Sequence, residues 1–134
     1  MEHRPANRLF SLKESYRAFY YGLRTIKYMS QARRPKLLSN DFIERVMLAV
    51  TEVNGCAVCS YAHARLALEA GISSRQIQDM LSGVMDEVPA HQQPAVWFAQ
   101  HYADSRANPS RLSWDRMIQL YGDATAKGIL GAIR

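Results

Sequence analysis

Apolar residues recur along this chain in steps of three and four, and no segment of four or more residues alternates cleanly as a strand would. That pattern restricts the chain to helices packed on helices, an all-α fold. The clearest stripe runs Leu9, Leu12, Tyr16, Phe19, Leu23, Ile26, with basic residues between its positions. A loop around Arg33-Arg34-Pro35 follows it. Ser39-Asn40-Asp41 offers N-cap side chains ahead of Phe42, Val46, Met47 and Val50, so a second helix is predicted to run to about Val53 and to end at Asn54-Gly55. A third is predicted from near Cys56 to Gly71, capped by Asn54 or Gly55, and a fourth after Ile72-Ser73-Ser74 with Ile77, Met80 and Leu81. Pro89 and Pro94 bracket a connection or helix start. A fifth helix then carries Val96, Phe98, Ala99, Tyr102 and Ala103 and ends by Asn108-Pro109. Ser110 or Ser113 opens a sixth, with Trp114 expected in the core, and a last helix spans about Asp123 to Arg134. A bundle of six to seven helices is the expectation.

A chain of 134 residues, 48% hydrophobic and 22% charged, has room for one core, so residues 1–134 are read as a single domain. Its longest apolar runs are about the length of Val46–Val50, far short of the roughly 20 residues that span a bilayer. The N-terminus also lacks the apolar stretch of a secretory signal, and a cytoplasmic protein is expected. The net charge of +5 is unevenly spread. Residues 1–36, read as a basic amphipathic helix and loop, hold nine Lys or Arg against two Glu, whereas from Leu37 onward eight bases face ten acids.

The chemistry concentrates in residues 39–71. Two cysteines stand as Cys56-Ala-Val-Cys59, so an internal disulfide must join these two. At the start of a helix a spacing of three puts both sulfurs on one face, with Cα atoms about 5 Å apart, within disulfide reach. Unpaired amides and the helix dipole there favour thiolate, the form that attacks peroxides and disulfides. His63, four residues beyond Cys59, extends the stripe and can shuttle a thiol proton near neutral pH. The helix terminus favours Cys56 as the attacking thiol, whereas the imidazole four residues away favours Cys59; the expectation taken is Cys59 attacking and Cys56 resolving. Oxidation to a sulfenic acid would be followed by condensation with the second thiol, which closes the disulfide.

The full spacing is Glu44-x11-Cys56-x2-Cys59-x3-His63, with Asn54-Gly55 before the first cysteine and Ala70-Gly71-Ile72-Ser73 closing the helix. It resembles the core motif of the alkylhydroperoxidase AhpD-like branch of the carboxymuconolactone decarboxylase superfamily, and over residues 9–134 the helical order is similar too. The resemblance implies an all-helical homo-oligomer, commonly a trimer or hexamer, whose dithiol reduces hydroperoxides or partner disulfides. It also implies an external dithiol donor, such as a lipoyl carrier or a thioredoxin-like protein. Glu44, by way of water, and His63 would relay protons for the cysteine pair. Glu44 has a bland alternative, because Asp41-x-x-Glu44 also reads as a capping box. Relatives that decarboxylate a lactone generally lack the cysteine pair, so the resemblance points away from that reaction. Val58 stands beside Cys59 where some relatives place a polar or aromatic residue.

Two other functions compete. Cys56, Cys59 and His63 could ligate zinc, but His3, His91 and His101 complete no H-x3-5-H pair. The basic segment, interleaved with Tyr16, Phe19, Tyr20, Tyr21 and Tyr28, could bind nucleic acid; its aromatics largely follow the helical stripe, which favours packing. No metal, cofactor, membrane or nucleic-acid partner is therefore expected. Tyr61 could reach a substrate oxygen but is as well explained by packing, and His101 is expected to be a partly buried histidine.

Overall fold

A computed structural model of the chain describes residues 37–134. The basic N-terminal helix predicted in residues 1–36, its aromatics and the nucleic-acid reading they prompted lie outside the described residues. Within them are five helices and no strand: α1 (Asn40–Asn54), α2 (Ala57–Glu69), α3 (Ser74–Leu81), α4 (Gln93–Asp104) and α5 (Arg111–Ala132). The all-α expectation is met with fewer elements than the six to seven predicted. One predicted helix lies in residues 1–36. The last two form a single element, α5, broken at Gly122, whose φ of 76° and ψ of 159° are non-helical and favour glycine.

α1 is the hub, in contact with all four other helices. It buries Phe42, Val46, Leu48 and Ala49, and this spread of apolar positions around more than one face is what a surrounded helix needs. α4 lies along it and buries Ala95, Val96, Phe98, Ala99 and Tyr102. Phe98 meets Trp114 of α5 at a ring separation of 6.0 Å; Trp114 is only partly buried and packs against the core. α5 closes on the start of the first helix, where Leu38 lies against Gly128; a Cβ at Gly128 would come within 3.6 Å of the Leu38 side chain.

The helix boundaries follow local chemistry. The Ser73 and Ser110 hydroxyls accept the N–H groups of Gln76 and Ser113, both at 3.2 Å, and so begin α3 and α5. Between the two serines proposed for α5, the cap is thus Ser110. α4 ends at Asp104, earlier than Asn108-Pro109. Arg106 and Ala107 turn left-handed (φ 53° and 63°), and the Ala107 N–H reaches back to the Tyr102 carbonyl at 2.9 Å.

A polar network pins the hub helix. Arg45, 7% exposed, donates through Nη1 to Asp41 Oδ2 at 2.7 Å and to Gln92 Oε1 at 3.4 Å, and Gln92 Nε2 donates to the same Asp41 oxygen at 3.0 Å. Gln92, just before α4, is thereby tied to the first turns of α1. Burial raises the affinity of Asp41 for a proton, but hydrogen bonds from Gln92 and Ser39 and the charge of Arg45 outweigh it and hold the carboxyl below its ordinary value.

Candidate functional site

The turn that builds the site is Gly55. Its left-handed backbone (φ 62°, ψ 25°) closes α1, with its N–H directed to the Thr51 and Glu52 carbonyls. Cys56 follows and caps α2 itself, in extended geometry (φ −82°, ψ 98°), its Sγ accepting the Cys59 N–H at 3.3 Å. This corrects the expectation that Asn54 or Gly55 would cap the helix and that Cys56 would lie inside its first turn. Sulfur occupies the position a serine or aspartate side chain usually fills, because a one-residue turn leaves no other side chain within reach.

Cys56 and Cys59 are joined in a disulfide, with Cα atoms 5.3 Å apart. Both are half-buried, whereas Val58 between them is 80% exposed and Tyr61 74% exposed. Ala67 is the one buried residue of α2, so the helix lies on the body of the protein along a narrow edge. Cys59, His63 and Ala67, at steps of four, follow that edge.

Glu44 comes from the facing side of α1. Its Oε2 lies 2.9 Å from His63 Nδ1, and the two side chains are 13% and 21% exposed. With the carboxylate ionised, Nδ1 carries the proton and donates it to Glu44, so the lone pair of the neutral ring is on Nε2. The capping-box alternative does not form: Asp41 lies inside the first turn, its carboxylate goes to Arg45 and Gln92, and that of Glu44 goes to His63.

The four predicted site residues thus form two pairs on the α1–α2 seam, a disulfide and a carboxylate–imidazole bond. With the disulfide closed, no hydrogen bond joins either sulfur to His63 or Glu44; Cys59 and the imidazole are one helical turn apart. No group of three His, Cys, Asp or Glu among the described residues is arranged to hold a metal ion. His101 is exposed, not partly buried, and its Nε2 accepts the Ser110 N–H at 3.3 Å. Sequence reasoning missed the Asp41–Arg45–Gln92 network that fixes the helix carrying Glu44. The i,i+4 spacing of Asp41 and Arg45 was the available signal; Gln92, 51 residues from Asp41, gave none.

The model of the carboxymuconolactone decarboxylase family matches residues 21–105, more than half of the chain and all four of these residues. The chain belongs to that family. No curated protein and no solved structure matches it. Family membership agrees with the all-helical architecture and with the resemblance seen in the motif. Among the described residues no helix is long and apolar enough to cross a membrane.

Proposed function

We propose that this family member is a thiol-dependent peroxidase or disulfide reductase that cycles between the Cys56–Cys59 dithiol and its disulfide, with His63 and Glu44 moving the protons. The observation that carries this reading is the placement of a bonded cysteine pair and a carboxylate-oriented imidazole on successive turns of one helix edge. A structural disulfide three residues long would close too small a loop to constrain the unfolded chain much, and a buried-edge histidine held by glutamate is the usual furniture of proton transfer.

In the oxidising half, Cys59 thiolate attacks the hydroperoxide, the O–O bond breaks, and an alcohol leaves with a proton supplied through His63. The Cys59 sulfenic acid then condenses with Cys56, releasing water and forming the disulfide. A partner disulfide can take the place of the peroxide by thiol exchange. In the reducing half an external dithiol, from a lipoyl carrier or a thioredoxin-like protein, takes the disulfide back to two thiols and is itself oxidised. Neutral His63 accepts a thiol proton at Nε2 while Glu44 steadies the resulting imidazolium from the other side. A cytoplasmic setting and a homo-oligomer, trimeric or hexameric, belong to the same reading.

Hydroperoxide consumption driven by dihydrolipoamide tests it. Turnover is expected from the parent and none from Cys59→Ser or Cys56→Ser; a parent no faster than the donor alone, or a double-serine variant as fast as the parent, rejects the function.

A further inference from the structure

We propose that Asn54 is a site of spontaneous covalent modification, where the side-chain amide is lost through a cyclic imide and the turn leading to Cys56 is lengthened. The modification stands apart from the redox reading above; only its consequence for the cysteine pair touches the same site.

Asn54 does not cap α2, a position that Cys56 holds. Its carboxamide is left exposed, with no hydrogen bond to another described residue. Gly55 follows, also exposed, and a Cβ built there would meet nothing within 4 Å. Neither a side chain at position 55 nor packing around it therefore obstructs attack of the Gly55 nitrogen on Asn54 Cγ. The other asparagines lack this arrangement. Asn40 precedes Asp41, and Asn7, outside the described residues, precedes Arg8. Asn108 precedes Pro109, which has no N–H to become a nucleophile.

The fold sets the rate. The Gly55 N–H is shared between the Thr51 and Glu52 carbonyls, at 3.0 and 3.3 Å, and must leave both before its nitrogen can react. Those bonds close the final turn of α1, and a helix end is where local opening costs least. Attack is therefore intermittent in the folded chain and faster in the unfolded one.

In the first step the Gly55 nitrogen loses its proton and bonds to Asn54 Cγ, while the Cγ–Nδ2 bond breaks and ammonia leaves with that proton. Water then opens the imide. Cleavage at Cγ gives aspartate; cleavage at the main-chain carbonyl gives isoaspartate, whose backbone runs through the former side chain and is one methylene longer. Either product puts a negative charge at the C-terminal end of α1, the end that disfavours it. The isoaspartyl product also lengthens a link in which Gly55 alone separates α1 from the N-cap of α2. That shifts Cys56 from its capping position and from Cys59.

The test incubates the folded full chain in mildly alkaline buffer at physiological temperature, followed by digestion, mass mapping and labelling of isoaspartate with an isoaspartyl methyltransferase. The mass gain of amide-to-acid conversion is expected at Asn54 at about ten times the rate at Asn40 or Asn108, a barrier difference of about 1.4 kcal/mol, and faster still in urea. Converted chains, separated by ion exchange and reduced, should close their disulfide with oxidised glutathione more slowly than the parent. Asn54→Asp, with the same charge on a backbone of normal length, should lie between them. An Asn54 that keeps its amide in the folded chain, or converts no faster than Asn40 or Asn108, overturns the site; equal closure rates overturn the effect on Cys56. A dithiol that closes with glutathione but never consumes hydroperoxide counts against the proposed peroxidase activity and leaves this assignment standing.

Discussion

At the scale of single residues, the proposed proton transfer depends on the Glu44–His63 bond, 2.9 Å long and mostly shielded from water. Glu44→Gln keeps an oxygen able to accept the Nδ1 proton but removes the charge that stabilises imidazolium, so ring orientation survives and proton transfer suffers. His63→Ala removes the proposed base. Loss of a positioned acid–base group typically lowers rate by roughly 10²-fold or more. Peroxide turnover by His63→Ala is expected to fall by about that factor, with a smaller fall for Glu44→Gln, while both keep the parent's helical circular dichroism. Equal turnover in all three proteins would assign the pair a purely structural role. The site's residues were legible as a spacing, because helical periodicity converts i, i+3 and i+7 into one face. Their pairing was less so. Asp41 and Glu44 could each have served the start of α1, and only the packing of α2 against α1 shows that one carboxylate goes to Arg45 and the other to His63.

At the scale of elements, the α1–α2 turn is the part most exposed to single changes. A Cβ added at Gly55 would meet nothing within 4 Å, so the cost of Gly55→Ala is the left-handed backbone alone, about 1 to 2 kcal/mol. Urea denaturation should show that loss with an unchanged slope, and oxidised protein should suffer no less than reduced. An unaffected midpoint would mean that α1 ends differently. Helix limits set by strong local chemistry, such as Gly55, Ser73 and Ser110, were readable in advance. Two others were not. Cys56 is seldom thought of as a cap, and α4 stops at Asp104 by left-handed turns at Arg106 and Ala107, residues whose types carry no such signal.

At the scale of the whole molecule, the buried Arg45 network ties the hub helix to the start of α4 and so holds the site's carboxylate in place. The Asp41 carboxyl is held below its ordinary value in the folded chain. Its stabilising contribution is therefore complete above the unfolded value near 4 and is lost as pH falls through the lower folded value. Asp41→Asn should accordingly be less stable than the parent at neutral pH, and the gap should narrow on acidification below about pH 4. A pH-independent gap would take Asp41 out of acid unfolding. Asp41→Ala leaves a nearly buried guanidinium without a carboxylate that is itself one-third exposed, and should cost about 1 to 3 kcal/mol. The family, the all-helical class and the seam between α1 and α2 could all be approached from the motif. The tie through Gln92 could not, since it joins positions 51 residues apart that share no periodicity.

The central claim, that Cys56 and Cys59 act as one redox couple, is tested most directly by counting thiols in the reduced protein before and after one equivalent of hydroperoxide. The parent should lose two thiols together and regain both on addition of a dithiol. Cys56→Ser should lose its single thiol to a sulfenic acid, and Cys59→Ser should react far more slowly. Two thiols still present in the parent after peroxide is added would contradict the account.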